Sequence, residues 1–248
     1  EVDPEALIAR MASPEIRIVS LTVTEGGYFV DAKTGGFDAS HPDIVADAAN
    51  PAKPTTVFGL IIAALMRRRE AGTPPFTVMS CDNLPENGHV ARNAVLGLAM
   101  GRDDDAHDWI AENVAFPCGM VDCITPATGP REIALVAEKF GIDDAAPVVC
   151  EPFRQWVLED NFPQGRPALE IVGVEFVEDV APYELMKLRI LNGGHATIAY
   201  PAGLMGIHYV HEAMENPFVS GFLKKLEFTE IIPTVPQIPG VSLEEHYH

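Results

Sequence analysis

Phe76-Thr-Val-Met-Ser-Cys-Asp-Asn-Leu-Pro-Glu-Asn-Gly-His-Val-Ala-Arg-Asn-Ala-Val-Leu-Gly-Leu-Ala-Met100 is the stretch that decides the fold class. After Pro74-Pro75 it opens with a short apolar, β-forming run over 76–79 and turns through Ser80-Cys81-Asp82-Asn83. It then continues with the pattern of a helix over 89–100. Strand, loop, helix is the repeating unit of a sheet with helices packed on it.

The same unit recurs on both sides. Upstream, residues 17–23 (Arg-Ile-Val-Ser-Leu-Thr-Val) are a β-branched run that stops at Thr24-Glu25-Gly26-Gly27, as a buried strand ending in a glycine turn does. A loop rich in Pro, Asp and Gly runs from there to Pro54. A helix over 57–71 follows, with Thr55 or Thr56 as its cap and Arg67, Arg68, Arg69 and Gly72 at its close. Downstream the spacing predicts helices over 108–114 and 132–140, the second closed by Gly141, an extended segment over 114–124, and strands over 147–150 and 169–177. This alternation predicts an α/β portion with a mostly parallel sheet. In such sheets ligands gather at the carboxyl ends of the strands, which nominates Thr24-Glu25, Asp82-Asn83 and Asp122 as one crevice.

From 183 to about 226 the pattern is helical, with a strand signal only at Ile231-Ile232. The domain boundary is therefore placed near 179–182, dividing an α/β portion over 1–180 from a mainly α-helical portion over 181–248. Pro233, Pro236 and Pro239 punctuate a tail expected to cross the surface.

Composition narrows the functional classes. With 248 residues and 47% hydrophobic content the chain can bury a sizeable core. A formal net charge of −19, from 36 acidic against 17 basic residues, opposes an electrostatic grip on nucleic acid or anionic lipid and points to a small-molecule site. Apolar runs such as 57–66 are too short to span a bilayer, and Glu1-Val2-Asp3-Pro4 does not read as a signal peptide, so a cytoplasmic protein is expected. Cys81, Cys118, Cys123 and Cys150 form no disulfide framework and no C-x-x-C pair, which predicts reduced thiols.

The chemistry concentrates in Lys187-Leu-Arg-Ile-Leu-Asn192-Gly-Gly-His195. Read as an α-helix, Lys187, Asn192 and His195 fall within an arc of roughly 140° and can face one site. Gly193 and Gly194 each cost on the order of 1 kcal/mol inside such a helix, so close approach of a ligand or a neighbouring backbone is expected there. A lysine in a partly dry pocket can exchange a proton with an alcohol at neutral pH. Alcohol oxidation also develops negative charge on oxygen, which the neutral amides of Asn192 and Asn83 can stabilise. From spacing alone the same residues also read as a solvated helix face carrying a Glu184/Lys187 ion pair.

Two other clusters invite a metal reading. His208-Tyr-Val-His211-Glu212 offers two imidazoles and a carboxylate, but no third ligand has a recognisable spacing and the order His-Glu-x-x-His is absent, so no metal is expected. His246-Tyr-His248 reads as a mobile chain end.

Lys187-x-x-x-x-Asn192-x-x-His195 resembles the signature of the polyol-specific long-chain dehydrogenases, and other blocks agree with it: Thr22-Val-Thr-Glu-Gly-Gly-Tyr28, Ser80-Cys-Asp-Asn-Leu-Pro85 with Asn87-Gly88, Met120-Val-Asp122 with Ile124-Thr-Pro126, and Glu151-Pro-Phe-Arg-Gln-Trp156. The resemblance spans nearly the whole chain and is nearest to the mannitol dehydrogenases. It implies a metal-independent oxidoreductase that exchanges a hydride between NAD and a polyol/ketose pair such as D-mannitol and D-fructose. It assigns Lys187 as acid/base, Asn83 and Asn192 as the oxyanion hole, and His195 as the group that orients the substrate oxygen. It also places Glu184 on the proton path, and Thr24, Glu25, Asn83 and Asp122 on the cofactor side.

The resemblance further implies a partial Rossmann-like portion that is an internal stretch of the family's chain. No Gly-x-Gly-x-x-Gly fingerprint occurs in the sequence, and the residue that separates NAD from NADP is expected upstream. Cys118 and Cys123 stand where the family pattern has asparagine and arginine. Sister specificities toward fructuronate, tagaturonate or arabinitol, or a non-catalytic remnant of the fold, stay open at this level.

Overall fold

In the computed structural model the described residues are 3–247; Glu1, Val2 and His248 lie outside them. They divide into two compact units between Glu178 and Asp179.

The first unit starts with α1 (Pro4–Ala12), β1 (Ile18–Leu21), α2 (Pro42–Ala49), α3 (Val57–Glu70), β2 (Thr77–Ser80) and α4 (Asn87–Met100). It continues through α5 (Asp104–Asn113), β3 (Gly119–Asp122), α6 (Pro130–Phe140), β4 (Gln155–Glu159) and β5 (Glu175–Val177). β1 and β2 pair in parallel from Ile18↔Thr77 to Leu21↔Ser80, and every residue of β2 is buried. β4 is antiparallel to β3 and parallel to β5. The amide of Val78 donates to the carbonyl of Ala115 at 3.0 Å, which ties β2 to the segment entering β3. The result is a Rossmann-type α/β unit in which two of the three strand pairings are parallel.

Local signals explain the well-read elements. Thr56 caps α3, its hydroxyl oxygen accepting from the Gly59 amide at 3.1 Å, and the expected arginines occupy the last turn. Gly141 closes α6 in the left-handed conformation at φ 68°. The core gathers Tyr28, Phe58, Ile61, Phe76, Val78 and Leu98, each at most 1% exposed. Within it lies the Arg68 side chain, itself 1% exposed. Its guanidinium donates to the carbonyls of Met11 at 3.1 Å and Pro74 at 2.7 Å, and to those of Ser13 and Ile16, so one side chain joins the end of α1 to both strand entrances. Four carbonyl acceptors make that buried cation tolerable.

Several expectations are corrected. The supposed loop up to Pro54 contains α2, which starts at a proline in its first turn. Residues 147–150 are not a strand; the strand lies at Gln155–Glu159 instead. Residues 169–177 are not continuous either: Leu169–Val172 is a 3₁₀ turn ended by Gly173 at φ 93°, and only Glu175–Val177 pairs. That positive φ, which glycine alone adopts readily, breaks the run.

The second unit is helical: α7 (Ala181–Met186), a π-helical turn (Lys187–Asn192), α8 (Gly193–Leu204), α9 (Val210–Glu215), α10 (Pro217–Leu226), a second π turn (Glu227–Ile231), a 3₁₀ turn (Ile232–Thr234) and α11 (Leu243–Tyr247). The strand signal at Ile231-Ile232 is thus overturned by helical continuation of α10. The proline-punctuated tail does not simply cross the surface, because Val235 and Ile238 are buried with Met186, Ile190 and Leu243 in one small core. A second core joins Ile198, Ala202, Ala213, Val219 and Leu223.

Candidate functional site

In the first unit, the carboxyl ends of β1 and β2 are drawn together by Asp82. Its carboxylate accepts the amides of Val23 at 3.0 Å and Thr24 at 2.9 Å, together with the Tyr28 hydroxyl at 2.6 Å. Burial first, and then the bond to Asp82, push the Tyr28 hydroxyl well above the phenol range. Thr24 is held at φ 63°, a conformation uncommon for a side chain of its type, and opens the 3₁₀ turn Glu25–Tyr28. Thr24 and Glu25 are exposed on that turn.

Asn87 does the corresponding work between β2 and β3. Wholly buried, its side-chain amide donates to the carbonyls of Ser80 at 3.3 Å, Asp82 at 3.0 Å and Gly119 at 2.8 Å, while its oxygen accepts from the Gly119 amide at 2.9 Å. Asn83 sits inside the loop so braced and is exposed; Asp122, the last residue of β3, is half-buried. Thr24, Glu25 and Asn83 therefore share the end of one strand pair, and Asp122 ends the strand tied to it through Asn87.

These ends present carboxamide, carboxylate and backbone groups, which suits the uncharged carboxamide end of a nicotinamide. A pyrophosphate needs a glycine-rich turn opening a helix, and that fingerprint is absent from the sequence. The residues present fit the nicotinamide end of the dinucleotide.

In the second unit, Lys187, Asn192 and His195 do not lie on one α-helix as the spacing suggested. Lys187 opens the π turn, Asn192 closes it, and His195 lies in the first turn of α8. The extra residue per π turn changes the angular relation of groups on either side of it, and such bulges recur at functional sites. Lys187 is only 7% exposed, Asn192 is exposed, and His195 and Glu184 are half-buried. The His195 Nδ1 stands 3.0 Å from the carbonyl of Leu191, which can only accept, so Nδ1 carries a proton and donates.

His195 lines a cavity of about 540 Å³ whose other walls include Leu191, Gly194, Glu227, His246 and Tyr247. Lys187 and Asn192 are not among its walls. Glu227, set after Lys224-Lys225-Leu226 in the pattern of a solvated helix end, carries no local signal of a buried role. It is fully buried, neither carboxyl oxygen has a hydrogen-bond partner among the described residues, and burial raises its pKa to about 7. A β-carbon at Gly194 would lie 3.3 Å from the Glu227 Oε1, so Gly194 permits the close approach expected of this glycine pair. Gly193 has only ordinary space around it, with Leu188 O at 3.6 Å.

His208, His211 and Glu212 flank and enter α9. Among the described residues no group of three or more His, Cys, Asp or Glu could hold a metal ion, and no helix is long and apolar enough to cross a membrane.

Comparison with known proteins adds the following. The family model described as Mannitol dehydrogenase Rossmann domain matches residues 1–171, and that described as Mannitol dehydrogenase C-terminal domain matches residues 179–248. The chain is 63% identical over 246 residues to a mannitol 2-dehydrogenase of Cereibacter sphaeroides, a match covering 99% of this chain and 51% of that protein. It is similar to the solved Pseudomonas fluorescens mannitol 2-dehydrogenase in ternary complex with NAD and D-mannitol, at TM-score 0.88 and 51% identity over 99% of this chain and 50% of that one. A substrate-free D-sorbitol dehydrogenase structure matches at TM-score 0.95 and 47% identity, over 99% and 51% of the two chains. The chain thus spans about half the length of the relatives it matches.

Proposed function

The chain belongs to the mannitol dehydrogenase family, and on that premise we propose that the whole protein is a metal-independent oxidoreductase acting between NAD and the pair D-mannitol and D-fructose. The unit ending at Glu178 supplies the cofactor side and the unit from Asp179 the start of the catalytic, substrate-binding portion. The observation that carries this reading is the burial of Lys187 at the mouth of a π turn, on the helical run that also bears Asn192 and His195.

NAD, when bound, supplies the hydride acceptor for oxidation at C2 of the polyol. The chain's own residues then handle the proton and the charge. Lys187 takes the hydroxyl proton at Nζ and returns it during ketose reduction. The carboxamide of Asn192 donates to the oxygen as negative charge grows there, an interaction stronger in the transition state than in the ground state. His195 offers Nε2 to a substrate hydroxyl and orients it. Glu184, three residues before Lys187, relays the proton toward solvent. Thr24, Glu25, Asn83 and Asp122 bound the nicotinamide side. We place the protein in the cytoplasm, on the strength of its four free cysteines, with small polyols and ketoses rather than nucleic acid or membranes as partners.

The test is to assay the full-length protein with D-mannitol and NAD, with and without a chelator, beside Lys187→Ala. Turnover that survives chelation and falls by roughly a hundredfold or more in the variant is expected. Loss of turnover on chelation, or an unaffected variant, overturns the mechanism.

A further inference from the structure

Cys123 and Cys150 are remote in sequence and meet in space. Cys123 follows the last residue of β3, and the next residues pair with the segment after Cys150. The Glu151 amide donates to the Ile124 carbonyl at 3.2 Å, and the Ile124 amide donates to the Glu151 carboxylate at 2.7 Å. The Cys123 sulfur lies 4.0 Å from the carbonyl oxygen of Glu151, the residue next to Cys150, so the pairing of Ile124 with Glu151 sets the two cysteines beside one another. Both thiols are free and exposed, whereas Cys118 is buried and Cys81 half-buried.

We propose that Cys123 and Cys150 form a dithiol modification site that a peroxide converts to an intramolecular disulfide. One thiolate attacks a peroxide oxygen, the O–O bond breaks, and a sulfenic acid and water are left. The second thiolate attacks that sulfur, the S–O bond breaks, and a second water leaves. In sum two thiols and one hydrogen peroxide give one disulfide and two waters; sulfur is oxidised and peroxide oxygen reduced.

Two features favour this pair over a bland surface role. A resolving thiol held on the adjoining segment intercepts the sulfenic acid before further oxidation. The bond would also close a loop containing α6, none of whose residues is buried, so the excursion has little packing of its own to oppose the closure. Desolvation, the neighbouring Cys150 thiol, Glu151 and Asp122 all hold the Cys123 thiol above the ordinary cysteine range. Oxidation therefore quickens as the pH is raised.

The experiment treats the reduced full-length protein with a modest excess of hydrogen peroxide, blocks remaining thiols with iodoacetamide, and maps peptides without reductant. A cross-linked peptide holding Cys123 and Cys150 is expected, lost on adding dithiothreitol and absent from Cys123→Ser and Cys150→Ser. In parallel, phenylarsine oxide, which bridges two thiols only when both are within reach, is expected to protect the pair from alkylation in the parent protein and in neither variant. Separate alkylation of both cysteines after either reagent, or cross-links only between molecules, overturns the proposal.

Discussion

The Tyr28 hydroxyl donates to Asp82 Oδ2 at 2.6 Å while standing 2.6 Å from the Ser80 hydroxyl oxygen. The same carboxylate takes the amides of Val23 and Thr24, so the ends of β1 and β2 share one anionic acceptor. Tyr28→Phe removes a buried donor and leaves Asp82 and Ser80 each short of a partner. A loss of about 1–3 kcal/mol is expected, read as a lower urea midpoint with an unchanged slope. An unaltered midpoint would show that the strand ends hold without this bond.

Gly88 presses its backbone against the segment leading into β3. A β-carbon there would stand 2.5 Å from the carbonyl oxygens of Phe116 and Pro117, and neither backbone atom can swing aside as a flexible side chain does. Gly88→Ala should therefore lower stability by roughly 1–3 kcal/mol, visible in thermal melting. A Tm equal to the parent's contradicts the tight approach.

The buried Glu227 makes stability depend on pH. Its folded pKa of about 7 lies above the ordinary value of 4.5, so between these values the folded state holds a proton that the unfolded chain releases. Its contribution is neutral below the unfolded value, turns unfavourable as pH rises between the two, and stays so above about 7. The full cost is on the order of 3 kcal/mol. Glu227→Gln should remove most of this loss, with a parent-to-variant gap that is small at pH 5 and large at pH 8. Parallel melting curves at all pH values would refute the buried, unpaired state.

Gly193 and Gly194, adjacent in sequence, should respond differently to alanine. Gly193→Ala meets only ordinary contact and gains helix propensity, a stabilisation of up to about 1 kcal/mol. At Gly194 the same gain is opposed by the 3.3 Å approach to Glu227. The Gly193 variant should be the more stable of the two in chemical denaturation; the reverse order would count against the Gly194–Glu227 contact.

What could be read from the sequence follows where its signals are local. Thr56 and the run Arg67-Arg68-Arg69 bracket α3, and Gly141 stops α6, because capping and charge at helix ends act within a turn. α2 was hidden although Pro42 marks its first turn, since the surrounding composition reads as loop. β4 lay inside a block noticed only for its resemblance, and its pairing with β3 and β5 depends on residues far away in sequence. Lys187, Asn192 and His195 are legible as a group, but the arc that α-helical spacing predicts for them is not the observed one, because nothing in a sequence of helix formers announces a π turn. Glu227 was invisible for a similar reason: only the packing of α8 against the second π turn turns an apparently solvated glutamate into a buried acid. No C-x-x-C spacing announces Cys123 and Cys150, because their proximity depends on the tertiary pairing of Ile124 with Glu151.

The π turn at Lys187–Asn192 fixes a phase offset in the second unit. A bulge of this kind amounts to one residue threaded into an otherwise α-helical rod, and each residue of such a rod advances the azimuth by about 100°. Excising a single position there would screw His195 and all of α8 around the axis relative to Lys187 while keeping every side chain's identity. Chain length in this short span, as much as the lettering, is therefore a determinant of what the lysine and the imidazole can share.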